Sequence, residues 1–279
     1  MIRFLVDSSS DYSLEEIHEK QLELVPISIT MQEKTFRDVI EINRDHFYEL
    51  LQTSAEFPKT SQPSPQDFLD IFQEAKNNGD SLICVLLSSA VSGTFQSANL
   101  ARCMVDYDKI YLIDSLSATH GIRILTDYGQ HLAGNGFSAA TIVDELEALK
   151  HRIRVVAGVD TLEYLCKGGR LNKTSAAIGE LANLKPLLRV TKEGTVAVLG
   201  KCIGKNKAIQ ALLKFIEENT FDTLFPLYSF YTSGTENCEK LEKKLASSGY
   251  IIDERLQIGS AIGAHVGPGA FGIIYVAKD

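Results

Sequence analysis

The chain has 279 residues, 44% of them hydrophobic, which is enough for one large α/β domain or two smaller domains with separate cores. Its formal net charge of −8 argues against a protein that binds nucleic acids or anionic membranes non-specifically. The sequence shows no signal peptide, no apolar run of roughly 18 residues and no CxxC metal motif, so we expect a cytoplasmic protein without a metal site.

The first half of the chain is predicted to alternate strands with helices. Apolar runs predict strands at residues 2–6, 22–29, 81–87, 109–113 and 155–159. Capping and Pro signals predict helices after Ser13, near Asn43, at 66–76, at 93–105 and at 138–152. This alternation favours a mainly parallel sheet with helices on both faces, a three-layer α/β domain.

The composition changes near Asp160, where we place a boundary between domains 1–159 and 160–279. The second domain is also predicted to be α/β. It contains a loop at 164–172, a helix at 174–184 and a hairpin of strands 187–190 and 196–199. It continues with helices at 205–218 and 235–247 and strands at 224–231, 251–257 and 272–277.

Three polar segments supply hydrogen-bond donors: TSQPS at 60–64, SSAVSGT at 88–94, which follows a predicted strand, and HVGPGA at 265–270. Ser92-Gly93-Thr94 at a helix start has free amides and hydroxyls suited to an oxyanion, although a serine that only caps its own helix is an alternative explanation. The Gly-Pro-Gly context distinguishes His265 from the other five histidines, which lie in or beside helix patterns. The three segments together indicate an anion site.

Taken in order, these pieces resemble the DegV family of bacterial fatty-acid-binding proteins. The matching segments are DSSSD at 7–11, TSQPS at 60–64, SSAVSGTFQSA at 88–98, IDS at 113–115, LEYLCKGGRL at 162–171 and HVGPGAFG at 265–272. They span the whole chain in register. The combination is therefore much more specific than any one segment.

The resemblance implies a ligand tunnel between two α/β domains, which holds a long-chain fatty acid with its carboxylate at the mouth. The residues implied to bind the carboxylate are Thr60, Ser61, Ser92, Gly93, Thr94 and His265. Candidates for the tunnel wall are Leu162, Leu165, Ile178, Leu181 and Leu188, positions that an ordinary core explains equally well. No cofactor or catalytic residue is implied, because a partner fatty acid kinase would supply ATP, Mg²⁺ and the phosphoryl-transfer groups. Transient contact with a membrane or an acyltransferase is a further implied interaction.

A basic segment gives this partner a candidate docking surface. Residues 164–207 include nine basic and two acidic side chains, so this segment is positive within an acidic chain. Lys167, Arg170 and Lys205 are the candidate docking residues. Some family members have an arginine at the position that aligns with Ile203, and its absence here puts a charged clamp on the head group in doubt.

Two other functions compete with lipid binding. A serine hydrolase would use Ser92, His265 and Asp114, but the GxSxG elbow typical of such enzymes is absent from the sequence. A sugar-phosphate-binding enzyme or regulator would use the SGT loop, which is similar to the phosphate loops of sugar isomerase domains.

Overall fold

A computed structural model of the chain describes residues 1–171 and 184–278. Its strands are β1 (Ile2–Asp7), β2 (Leu22–Val25), β3 (Ser28–Met31), β4 (Lys34–Arg37), β5 (Lys59–Ser61), β6 (Ser81–Leu86), β7 (Ile110–Asp114), β8 (Ile153–Gly158), β9 (Leu184–Val190), β10 (Val196–Ile203), β11 (Tyr228–Tyr231), β12 (Glu254–Gln257) and β13 (Phe271–Val276). Its α-helices are α1 (Leu14–Glu19), α2 (Arg44–Thr53), α3 (Pro65–Asn78), α4 (Thr94–Val105), α5 (His120–Gly134), α6 (Ala139–Leu149), α7 (Glu163–Lys167), α8 (Lys205–Glu218), α9 (Glu236–Ser247) and α10 (Ser260–Val266). Two 3₁₀ turns lie at Ser8–Ser10 and Lys150–Arg152.

The first sheet is fully parallel, in the order β2-β1-β6-β7. Its strands are apolar on both faces because helices cover both: α3 and α4 pack on Leu82 and Cys84, while α5 and α6 pack on Ile83 and Val85. This confirms the predicted three-layer arrangement. The capping box from Ser13 to Glu16 also forms as predicted.

The second sheet is mixed and has the order β10-β9-β8-β13-β11-β12. Helices α8 and α9 cover one face. Strand β8, which the sequence analysis assigned to the first domain, pairs with β9 and β13 of this sheet. The division at 159/160 stays a prediction, and the pairing of β8 favours a division before Ile153.

A three-stranded antiparallel sheet, β4-β3-β5, corrects one predicted strand. The apolar run at 22–29 is not one strand, because it divides at Pro26 into β2 of the parallel sheet and β3 of this small sheet. Proline has no N–H to donate to a ladder and restricts the preceding residue. The small sheet matters for the site because β5 contains Thr60.

Three helices differ from the sequence predictions. Helix α7 occupies part of the predicted loop at 164–172, and neither α5 nor α10 was predicted. Helix α5 contains Gly121 and Gly129, and α10 has only seven residues, mostly small, so both patterns are weak. The helix expected at 174–184 falls largely outside the described residues.

Neither a membrane span nor a metal cluster is found in the described part of the chain. No helix there is both long and apolar enough to cross a bilayer. No group of three or more His, Cys, Asp or Glu side chains there has the geometry to hold a metal ion.

Candidate functional site

The centre of the candidate site is a contact between residues 205 positions apart in the chain. Thr60 Oγ1 lies 2.8 Å from Nε2 of His265, a hydrogen bond between β5 and the last turn of α10. The expectation that His265 lies outside a helix is therefore wrong. Helix α10 sits this close to its neighbours because its small residues admit them: a Cβ at Gly263 would overlap the Tyr48 hydroxyl.

Two spaces meet at this contact. An inner cavity of about 90 Å³ has a wall that is mainly apolar, with Ile27, Leu87, Val91, Ala118, Leu165, Val196, Ala261, Ile262 and Val266, and polar side chains from Gln62 and Ser92. An outer cleft of about 640 Å³ is open on the side of Phe57 and Lys167. Thr60, Arg170 and His265 line both spaces, and we call these three residues the mouth.

His265 is neutral at physiological pH. Burial, together with the nearby positive charge of Arg170, lowers its pKa to about 4. Its Nδ1 is buried without a hydrogen-bond partner in the described part of the molecule. The ring packs so closely against Gly168 that a Cβ there would overlap Nδ1. A neutral imidazole in this position can donate one hydrogen bond and accept another.

Ser92 lines the cavity, but the anion site predicted from Ser92, Gly93 and Thr94 is only partly present. Helix α4 begins at Thr94 with Gly93 as its N-cap, so Ser92 is not the cap residue. The Ser92 hydroxyl lies 2.8 Å from that of Thr94 and accepts a hydrogen bond from the Thr94 amide at 3.3 Å. Thr94 is fully buried, and Gly93 is covered by Gln62, whose side-chain amide occupies the space that a Cβ at Gly93 would need. Ser92 alone of these three lines the cavity.

Three further predicted residues, Ser61, Lys167 and Lys205, are exposed and lie outside the mouth. Ser61 is exposed, because neighbouring side chains on a strand point to opposite faces and Thr60 takes the inner one. Lys167 is exposed in the outer cleft, 5.9 Å from the ring centre of Phe57. Lys205 is exposed at the start of α8 and lines neither space.

Arg170 lies deeper than a docking residue would. Its Nε donates to the carbonyl of Val91 at 3.2 Å, and its guanidinium also contacts the carbonyl of Gly168. The side chain therefore connects the loop at 168–170 with the SSAVSGT loop at 88–94, and it places a cation beside His265. Ile203, by contrast, is 66% exposed and lines neither space. The sequence did not reveal that the Arg170 side chain contacts Val91, or that the Gln62 side chain covers Gly93.

The DSSSD segment forms a separate buried polar cluster. The Asp7 carboxylate accepts hydrogen bonds from the Leu87 amide at 2.7 Å and the Ser9 amide at 2.9 Å. Asp11 is buried, with one carboxylate oxygen 3.8 Å from Nε2 of His120. Burial raises the pKa of Asp11 to about 7, while the positive charge of Arg44 opposes that rise. By fixing Leu87, Asp7 fixes the start of the SSAVSGT loop.

The geometry gives no support to a hydrolase triad. Asp114 accepts hydrogen bonds from the amide and the hydroxyl of Ser89, at 3.1 and 2.5 Å, and does not line the cavity. The Nε2 of His265 faces Thr60 rather than Ser92. The Ser92 hydroxyl is engaged with Thr94. The three groups are thus not arranged as nucleophile, base and orienting acid.

Comparison with known proteins matches the whole chain. A family model described as "Uncharacterised protein, DegV family" covers residues 1–278. A DegV domain-containing protein from Caldanaerobacter subterraneus subsp. tengcongensis is 33% identical over 279 residues, 99% of each chain. Among solved structures, a fatty-acid-binding DegV family protein from Thermus thermophilus has a TM-score of 0.88 and 30% identity, with 99% of both chains covered. A fatty-acid-binding DegV family protein from Streptococcus agalactiae has a TM-score of 0.90 and 26% identity, covering 100% of this chain and 99% of its own.

The sequence resemblance, the fold and these matches agree from one end of the chain to the other. The relatives match at full length, so no part of the described fold is left outside the comparison. The chain belongs to the DegV family.

Proposed function

We propose that this protein binds a long-chain fatty acid, with the carboxylate at the mouth and the acyl chain in the inner cavity. The observation that supports this most is the composition of the two spaces: Thr60, Arg170 and His265 stand between an apolar interior and an open cleft. Neutral donors beside one guanidinium suit a carboxylate. The solved relatives from Thermus thermophilus and Streptococcus agalactiae are fatty-acid-binding proteins.

The acyl chain accounts for most of the binding energy in this proposal. Each buried CH₂ contributes roughly 0.8 kcal/mol before ordering costs. The cavity that the described residues form has a volume of about 90 Å³, which is small beside the roughly 300–1,000 Å³ of typical ligand pockets. Leu165 of the predicted tunnel residues lines the cavity, whereas Leu162 and Leu188 pack behind it. Ile178 and Leu181 lie outside the described residues.

Mass spectrometry of the purified protein tests the proposal. We expect a fatty acid of 14 to 18 carbons to be released on denaturation, and less of it to be released from a His265→Ala/Ser92→Ala variant purified in parallel. A protein that contains no lipid, and whose melting temperature rises with sugar phosphates instead, would favour the sugar-phosphate alternative. Ester hydrolysis that is lost on Ser92→Ala would revive the hydrolase.

We also propose that the protein catalyses no reaction itself. It presents its fatty acid to a partner kinase in the cytoplasm, and the kinase forms the acyl phosphate. A cytoplasmic location is supported by the five cysteines, all free in the structure.

Docking is tested with Lys167→Glu, because Lys167 is exposed at the cleft and lies outside the mouth. We expect kinase turnover to fall while fatty-acid affinity is unchanged. The matched control is Lys243→Glu on the exposed side of α9. Equal turnover of both variants at moderate salt would contradict docking through Lys167.

A further inference from the structure

A second concave region, unconnected with the mouth, is lined by cations. It has a volume of about 380 Å³ and lies between the end of α8, the start of β8 and the β9–β10 hairpin. Its charged and titratable lining residues are Lys150, His151, Arg154, Arg189, Lys192 and Glu193, which we call the basic groove. None of them lines the inner cavity or the outer cleft.

Sheet register explains why two arginines converge here. Arg189 on β9 lies directly opposite Val156 on β8, and Arg154 is two residues before Val156. Because side chains on a strand alternate between faces, Arg154, Val156 and Arg189 share one face of the sheet. That face packs against α8 at Val156 and Phe215. Where α8 ends, the same face continues with the two arginines and borders the groove.

Most of this positive charge has no carboxylate partner in the described part of the molecule. Lys150 pairs with Glu147 at 2.6 Å and is only 9% exposed at its side chain. Arg154 instead donates to the backbone carbonyls of His151 and Ile153, at 2.8 and 3.1 Å. Burial and the positive charge of Arg152 lower the pKa of Arg154. A hydrogen bond with Thr191 lowers the pKa of Glu193, and the positive charges of Arg189 and Lys192 add to this effect. The groove is thus positive on a molecule of net charge −8.

We propose that the basic groove binds the phosphate group of a phosphate ester or anhydride. Two guanidinium groups offer paired N–H donors that match phosphate oxygens, and Lys192 adds a flexible ammonium at the hairpin turn. A phosphate carries more charge than a carboxylate and gains more from three neighbouring cations. Two sources have this chemistry: a free organic phosphate and a phospholipid head group.

Isothermal titration with pyrophosphate at low ionic strength, where screening is weak, tests the groove directly. The test variant is Arg154→Gln/Arg189→Gln/Lys192→Gln. The matched control removes three exposed charges from α9, as Lys240→Gln/Lys243→Gln/Lys244→Gln. We expect the test variant to bind pyrophosphate at least about tenfold more weakly than the wild type, and the control to stay within about twofold. Equal melting temperatures of the three proteins would show that the fold is retained.

Co-sedimentation with phosphatidylglycerol vesicles distinguishes the two sources. Groove-dependent binding of pyrophosphate, with equal vesicle binding by all three proteins, supports a free organic phosphate. Vesicle binding that only the groove variant loses supports a head group. The proposal is wrong if pyrophosphate and vesicles both bind the test variant as well as they bind the wild type, or if neither binds the wild type. Neither result depends on whether the mouth binds a fatty acid.

Discussion

Two buried histidines in this molecule have similar polar neighbours and different surroundings. His265 has a hydroxyl partner in Thr60 and an unpartnered Nδ1, and His120 has a hydroxyl partner in Thr119 and an unpartnered Nε2 within the described structure. His265 borders two open spaces, whereas His120 is completely buried beside Asp11. The open space beside a buried polar group, rather than the number of its hydrogen bonds, therefore distinguishes a candidate ligand site from a structural cluster.

The two histidines lie in contacts between different parts of the chain. His120 lies at the start of α5, and its neighbour Asp11 faces Gly259, just before α10. That cluster therefore joins the first part of the chain to the last. His265, at the other end of α10, contacts Thr60 at the edge of the cavity. One short helix thus has a structural cluster at its beginning and the mouth at its end.

The largest effect is expected from Asp7→Ala in the structural cluster. The substitution removes the acceptor of the buried Leu87 and Ser9 amides, so we expect the free energy of unfolding to fall by about 3–5 kcal/mol. Urea denaturation measures the change. Asp108→Ala, in an exposed turn, is the control and should stay within about 0.5 kcal/mol. A loss below about 1 kcal/mol for Asp7→Ala would show that the cluster is not structural.

Paired histidine substitutions separate the two regions. We expect His120→Ala to lower the free energy of unfolding by about 2–4 kcal/mol, because it leaves a cavity at a completely buried position. We expect His265→Ala to weaken fatty-acid binding about tenfold or more with a stability change below about 1 kcal/mol. Denaturation and fatty-acid titration of both variants give the comparison. The distinction fails if both substitutions change the same quantity.

The pH dependence of stability should have opposite signs at Asp11 and His265. The folded pKa of His265, about 4, lies below its ordinary value, so its contribution is complete above about pH 6.5 and is lost as the pH falls towards 4. The folded pKa of Asp11, about 7, lies above its ordinary value, so its contribution is complete below about pH 4 and is lost as the pH rises through 7. At about 1.4 kcal/mol per pKa unit, each effect is of the order of 3–4 kcal/mol.

Stability curves of variants between pH 4 and 8 measure these two contributions. In Asp11→Asn, the fall in stability between about pH 4 and pH 7 should disappear. In His265→Gln, the fall in stability from about pH 6.5 towards pH 4 should become smaller. Variant curves that run parallel to the wild type would contradict both assignments.

The smallest effect is expected from Gly168→Ala. The added Cβ would overlap Nδ1 of His265, so the ring must rotate and lose its hydrogen bond with Thr60. We expect fatty-acid affinity to fall several-fold with little change in stability. Gly134→Ala is the control, because nothing lies within 4 Å of its Cβ position. Equal affinities of the two variants in a fatty-acid titration would show that the ring position does not matter.

The sequence predicted the parallel sheet well because every signal there is local. A continuous apolar run indicates a strand covered on both faces, and the cap at Ser13 and the Ser64-Pro65 pair mark helix starts. The pairing of β8 was not predictable in this way. Its residues form an apolar run in either sheet, and only tertiary packing decides which strands flank it.

The candidate site was predictable in its parts more than in its geometry. Thr60, Ser92 and His265 were named from polar segments and from the family resemblance, and all three line the cavity. Ser61 and Thr94 were named for the same reason, but a strand's alternation and a helix start turn them away. Arg170 was seen as a surface charge, because the spacing of basic residues cannot show that its guanidinium folds back onto Val91.

The separation of Thr60 and His265 by 205 residues also has a consequence for synthesis. A nascent chain cannot form the mouth until α10 has left the ribosome and packed against β5. A chain truncated before α10 would keep Thr60 and Arg170 but lack His265, so its mouth would be incomplete.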